Sequence, residues 1–311
     1  MAYRYAPQGA PTVGNGLGGI PARKEVTKPA PKVIYLYSGS GDFQIPTGYS
    51  QIRWTVVGAG GSGAGATSYG AGGGGGGALA MSAIMPCAPG QILSYQIGIG
   101  GPAIPAKTNQ AGYDGGDTIA TFNGVRLVGG GGKGGRSYVP YDSNLYYAPG
   151  GVASGGVVNF RGGRGGSPVN SSSSSAPPGP GGGAAGTGSN GGDHTAGSKT
   201  LPDVSSGPDA GGAAGWGMSD AMSSGGAGSG AMSGTTYLVT SSSSAYTIRS
   251  DANSMITSNY GVIGFPSRDV VRAGDAGVPG DGGLGGGGGA GANSTLASGK
   301  GGDGCLRIEL W

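Results

Sequence analysis

Little in this chain is equipped for catalysis. Its 311 residues include one histidine and two cysteines, and only 11% are charged. The histidine, His194, stands in Gly191-Gly192-Asp193-His194-Thr195. A catalytic base needs a nucleophile and an orienting group fixed around it, and a Gly/Ser-rich stretch does not provide that frame. A tetrahedral zinc site takes four Cys, His or carboxylate ligands, so one histidine and two distant cysteines do not suggest one. We therefore assign no catalytic residue, metal or cofactor and expect a protein that is not an enzyme. Cys87 and Cys305 allow one bridge at most. They read first as small buried residues, with their pairing left open.

Charge and hydrophobic runs are equally sparse. A net charge of +3 on this length gives no sign of nucleic-acid or membrane binding. No stretch approaches the length of a transmembrane helix, and Met1–Lys32 has no apolar signal-peptide core. Membrane insertion is thus not expected. Work outside a cell would need another exit, such as release within a virus particle.

What the chain has is glycine, 78 residues of it, gathered in blocks between short β-type sequences. One block spans Gly58–Gly77 and ends in the uninterrupted run Gly72–Gly77; another ends at Gly285–Gly289. Glycine loses more freedom on folding than any other residue, so such blocks stay ordered only when backbone packs on backbone. Gly and Pro at this level suggest low complexity. Disorder by composition, however, also calls for high charge and few aromatics. With 15 Tyr, 3 Trp and little charge, the composition suits compaction.

Residues 1–32 carry Pro7, Pro11, Pro21, Pro29 and Pro31 with no hydrophobic period, and read as an extended arm ordered against a partner. From Val33 the β signals begin: Val33–Tyr37, a turn at Ser38–Asp42, and Phe43–Pro46. In Ile52–Val57, the alternation of Ile52, Trp54 and Val56 predicts a strand with one buried face. Gln91–Ile99 follows, then Asp117–Phe122 and Val125–Val128 joined by Asn123-Gly124, the strongest short-range hairpin signal. Regular strands are expected again at Thr235–Thr240 and Ala245–Ser250, weaker ones at Tyr260–Gly264 and Val270–Arg272, and Cys305–Trp311 alternates again. No long helix is expected.

For the glycine blocks two readings stand. One is a flexible linker. The other is a bundle of three-residue-per-turn helices of the polyproline-II type, each relying on neighbours for its N–H and C=O partners. Collagen is excluded, because no strict Gly-x-y repeat persists.

Several local matches are weak. Gly129–Gly132-Lys133 lacks the Ser or Thr that must follow a P-loop lysine, since Gly134 stands there, and Lys300 fails similarly. Phe160-Arg161-Gly162-Gly163-Arg164-Gly165-Gly166 resembles a single-strand-binding RGG segment. It is one short copy, so arginines at a turn or paired with aspartate are the plainer reading. The repeated Gly-Gly-x-Gly-x-Asp nonapeptide of calcium-binding β-helices is absent. Tyr138, Tyr141, Tyr146 and Tyr147, in the island Ser137–Tyr147, form the best candidate contact surface. Tyrosine supplies a large amphipathic area at little rotamer cost. Equally, the rings could close over the glycine segments. Tyr69 and Trp216, each within a glycine block, share both readings.

In order along the chain, Trp54–Gly61, Gly72–Ala78, Pro89–Gly101, Asp114–Thr118, Leu127–Gly131 and Gly301–Ile308 resemble the glycine-rich domain of bacteriophage tail-fibre and tail-tip proteins. The resemblance implies an all-β fold, a β-sandwich whose strands bracket packed polyglycine-II segments. It implies an extended arm over residues 1–32 and one body over 33–311. By the same resemblance this is a virion component of the tail, extracellular after release. The arm would dock on other virion proteins, and the body on a host-surface glycan or outer-membrane protein. A homo-oligomer is compatible with that role. A tail or head decoration protein without a receptor is the alternative, and a cellular matrix or RGG-type RNA-binding protein the alternative of another class.

Overall fold

The computed structural model describes residues 30–65, 71–137, 147–166, 185, 190–191, 193, 285–288 and 297–311, with the backbone alone of 217–219 and 222–223. Its elements are strands: β1 (Lys32–Leu36), β2 (Ser40–Gln44), β3 (Gln51–Val57), β4 (Leu79–Met81), β5 (Met85–Pro86), β6 (Ile92–Gln96), β7 (Thr118–Phe122), β8 (Val125–Gly129), β9 (Ala153–Ser154), β10 (Val158–Phe160), β11 (Gly217–Ser219), β12 (Met222–Ser223) and β13 (Cys305–Leu310). No helix occurs among the described residues. Two antiparallel sheets carry the fold. One runs β1-β13-β3-β4-β10 with β5 beside β3, and the other β2-β6-β7-β8-β9. β11 and β12 pair separately.

Alternation sets the faces. Across β3 and β13, Ile52 lies opposite Leu310, Trp54 opposite Ile308 and Val56 opposite Leu306. These six project to the second sheet and join Leu93, Ala120, Phe122 and Leu127 in one core. The ring of Trp54 meets Phe122 edge-on at 5.6 Å. Its indole Nε1 has no hydrogen-bond partner.

The expectation that β3 buries a single face is corrected. Arg53, Thr55 and Val57 are buried as well. Register explains how charge is accommodated there. Arg53 is opposite Glu309 and Thr55 opposite Arg307. Glu309 accepts from Arg53 Nε at 2.6 Å and from Arg307 at 2.6 Å. Burial lowers the Arg307 pKa, against the pull of the Glu309 carboxylate.

The turn expected at Ser38–Asp42 is also shorter than predicted. Gly39 alone turns, at φ 84°, and Ser40–Gln44 pairs with β6, where Ser94 Oγ donates to Asp42 Oδ1 at 2.6 Å. The Asn-Gly hairpin forms as expected, with φ of 46° at Asn123 and 79° at Gly124. The short strands β4, β5, β9 and β10 were not expected, while the predicted strands between 235 and 272 lie outside the described residues. Cys87 and Cys305 are both free. Cys305 is buried as expected, whereas Cys87 is only half-buried.

Beyond the strand ends the chain continues as a slab of extended glycine segments, packed as polyglycine II. The segment 58–65 shows the rule. The N–H groups of Gly58, Gly61 and Ala64 donate to Ala78, Gly75 and Gly72; those of Ala59, Ser62 and Gly65 to Gly116, Tyr113 and Gln110; those of Gly60 and Gly63 to Gly302 and Gly299. Every third residue therefore faces the same neighbour, as a threefold extended helix requires. Carbonyls of this segment accept from Gly132 and Gly135, from Gly288 and from Gly101. Segment 58–65 is thus enclosed by six neighbouring segments. Segment 72–78 is bonded in the same way to 130–136, 163–166 and 285–288. At many lattice positions only glycine fits: a Cβ on Gly60, Gly74 or Gly77 would overlap the carbonyl of Gly286, Gly61 or Gly58.

Candidate functional site

The described glycine segments run outward from the strand ends, so the slab has a sandwich end and a free end. At the sandwich end Gly58 bonds Ala78, Ala59 bonds Gly116, and Gly77 bonds Gly285. At the free end Ala64 bonds Gly72, Gly65 bonds Gln110, Gly72 bonds Arg136, Gly73 bonds Gly166, Gly74 bonds Gly288 and Gly63 bonds Gly299. These residues lie in the terminal layers of the slab. Of the connections between these ends, 105–109 is described, whereas 66–70, 138–146, 167–184 and 289–296 lie outside the described residues. The free ends of the described segments, with the loop Pro105–Asn109, form one pole of the body.

The opposite pole receives the N-terminus. In the antiparallel pairing of β1 with β13, Leu36 is opposite Leu306, beside the slab, whereas Lys32 is opposite Leu310, away from it. Residues 1–29 lie outside the described part. Whatever precedes Ala30 joins the body at the end remote from the loops.

Of the six aromatic residues predicted to make contacts, Tyr69, Tyr138, Tyr141, Tyr146 and Trp216 lie outside the described residues, as does His194. Tyr147 is described. It is half-buried at the base of its loop, with the Arg164 guanidinium 5.3 Å from its ring centroid. Next to it, Ala148 bridges Gly165. A cleft of about 600 Å³ opens on the adjoining flank, lined by Asp114, Lys133, Arg136, Pro149 and the surrounding glycines. Lys133 Nζ donates to Asp114 Oδ2 at 2.8 Å. The described loop at this pole, Pro105–Asn109, is held by Thr108 Oγ1 donating to the Pro105 carbonyl at 2.6 Å and by Lys107 at φ 64°. Beside it, Gln110 donates to the Tyr113 hydroxyl at 3.0 Å. Sequence reading did not single out this loop; its run of Lys, Thr, Asn and Gln between glycine segments was the signal available.

The arginines of the RGG run are engaged. Arg161 makes a two-pronged pair with Asp193, both contacts at 2.7 Å. Arg164 gives its backbone N–H to the same carboxylate at 2.8 Å. Burial pushes the Asp193 pKa up, but the hydrogen bonds from Arg161 and the Arg164 amide, with both guanidinium charges, outweigh it and hold the carboxyl below its usual value. Among the described residues there is no cluster of metal-ligand residues and no helix long and apolar enough to cross a membrane.

The family model that matches, described as a glycine-rich domain, spans residues 37–311. No curated protein matches the chain.

Proposed function

Because the chain belongs to the glycine-rich domain family, we propose that it is a non-enzymatic bacteriophage virion protein, a tail-fibre or tail-tip component that attaches to a host surface. The observation that carries this reading is the polarity of the body. Strand β1 begins at one pole, and the free ends of the described glycine segments lie at the other with the loop Pro105–Asn109. That is the arrangement an adhesin needs: an anchoring end, a stiff spacer and a contact end. The spacer's stiffness has a physical basis, since each interior backbone segment is hydrogen-bonded on all sides and cannot bend without breaking several bonds. Ser137 and Tyr147, the described ends of the tyrosine island Ser137–Tyr147, lie at the free-end pole, and aromatic, hydroxyl-bearing side chains suit a glycan or outer-membrane protein. Residues 1–32 would dock on other virion proteins. The Arg161–Asp193 pair, which occupies the best candidate for nucleic-acid contact, favours this reading over an RNA-binding one.

Gold labelling of purified phage particles with an antibody against residues 33–311 tests the proposal. Label at the tail tip or fibres is the expected result. Label on the head would replace it with a decoration role, and particles without label would overturn it. Competition of adsorption by the purified chain, lost when 138–146 is replaced by a Gly-Ser linker, then tests the contact end.

A further inference from the structure

A lattice of glycine segments has a problem at its flanks. Each threefold segment aims N–H groups in three directions, and on an outer segment one of those directions points away from the body. Such a row of donors resembles the open edge of a β-sheet, which invites another chain to add on.

Segment 130–136 is the clearest case. Gly132 and Gly135 donate inward to Ala59 and Ser62, and Lys133 donates to Pro149. The remaining direction holds Gly131 and Gly134, one turn apart and only half-buried. Neither donates to another backbone segment. The N–H of Gly131 meets Asp117 Oδ1 at 2.8 Å, and that of Gly134 meets Asp114 Oδ1 at 2.8 Å. The other oxygen of Asp114 is held by Lys133.

The pattern recurs. Gly100 donates its N–H to Asp303 Oδ1 at 2.8 Å, and Arg164 donates to Asp193 Oδ1 at 2.8 Å. In sequence, the triplet Gly-Gly-Asp occurs at 115–117, 191–193 and 301–303. In all three the aspartate accepts a backbone N–H from a neighbouring segment. At two of the triplets the donor's own glycine makes the close approach possible, since a Cβ on Gly131 or Gly100 would overlap the carbonyl of Gly115 or Gly301, and the aspartate closes the donor that no backbone carbonyl reaches.

We propose that Asp114, Asp117, Asp193 and Asp303 are lateral caps that close the flanks of the glycine lattice against the extended glycine segment of a second copy of this chain. Gly131 and Gly134 have the spacing that any threefold segment presents in its carbonyls, and the interior of the body shows such segments pairing repeatedly. The caps occupy those donors within the molecule. They let the lattice end at a fixed width instead of growing from molecule to molecule.

The test is the double variant D114A/D117A in the full chain, compared with D114N/D117N by sedimentation velocity over a range of concentrations. The alanine variant, with both donors open, is expected to associate and double the mass of the unaltered chain. The asparagine variant keeps a neutral acceptor oxygen at each position and is expected to hold the unaltered mass. Two results overturn the proposal: an alanine variant that stays at the unaltered mass, or an asparagine variant that associates equally, which would assign the effect to lost charge. Should the alanine variant fail to fold, amide exchange on the unaltered chain decides the question. Gly131 and Gly134 are expected to be protected about tenfold or more over open chain, as charge-assisted hydrogen bonds provide. Exchange at the open-chain rate would refute the caps.

Discussion

Replacing Gly74 by alanine asks whether the slab is held by backbone contact. The new methyl group would overlap the carbonyl of Gly61 and approach that of Ser62. Backbone is the obstacle, so no side chain can rotate away. Segment 58–65 must shift from 72–78, and the three bonds between them, Gly58 to Ala78, Gly61 to Gly75 and Ala64 to Gly72, stretch together. At ~1 kcal/mol for each net bond, the loss is ~3 kcal/mol. Steric strain adds about 1–3 kcal/mol. The lower entropy of the unfolded alanine chain returns ~0.4–1 kcal/mol. The expected destabilisation is therefore about 3–5 kcal/mol. Gly41 supplies the control. It lies in β2, and the nearest atoms to a Cβ there would be the Tyr95 hydroxyl at 3.5 Å and its ring carbons at 3.8 Å, ordinary contacts. G41A is expected to be neutral or slightly stabilising, by up to ~1 kcal/mol. Urea unfolding of both variants, followed by tryptophan fluorescence, measures the difference. If G74A unfolds at the same urea concentration as G41A, the segments are not in backbone contact and the packed-lattice argument fails.

Three further outcomes follow from the same structure. Glu309→Ala leaves Arg53 and Arg307 buried without their shared carboxylate, and is expected to cost about 3–5 kcal/mol in urea unfolding. Phe122→Ala removes the ring that packs edge-on against Trp54; a cost of about 3–5 kcal/mol is expected, with a red shift of tryptophan emission as water reaches the indole. For pH, burial raises the Asp114 pKa, but the hydrogen bonds and charge of Lys133 and the Gly134 amide bring it below 3.8 overall. Asp193, facing Arg161 and Arg164, is lowered too. Carboxylates with depressed folded pKa values contribute stability that is complete above the unfolded value and lost as pH falls through the folded one. The urea midpoint is thus expected to fall between about pH 5 and pH 2, and D193N is expected to flatten that fall.

The sequence alone determined the class of the fold and most of the strands that build its core. Alternation in β3 and β13 and the Asn123-Gly124 turn are local signals, because a period of two and a positive φ belong to consecutive residues. It also settled that the glycine blocks must be either linker or backbone-packed helices, since no other ordered state suits glycine at that density. Choosing between them was a tertiary decision. The partners of segment 58–65 come from 72–78, 98–101, 110–116, 130–136, 285–288 and 297–304, and no local pattern names them. The second buried face of β3 was hidden for the same reason: Arg53 and Arg307 read as solvent-facing until register places Glu309 between them. The caps were visible as Gly-Gly-Asp triplets, but a carboxylate beside glycines has no evident role until a neighbouring segment's N–H is brought to it. The candidate contact site divides in the same way. Its tyrosines could be read from composition, whereas the free ends of the described glycine segments come to one pole, opposite the start of β1, through tertiary hydrogen bonds that exist only in the folded chain.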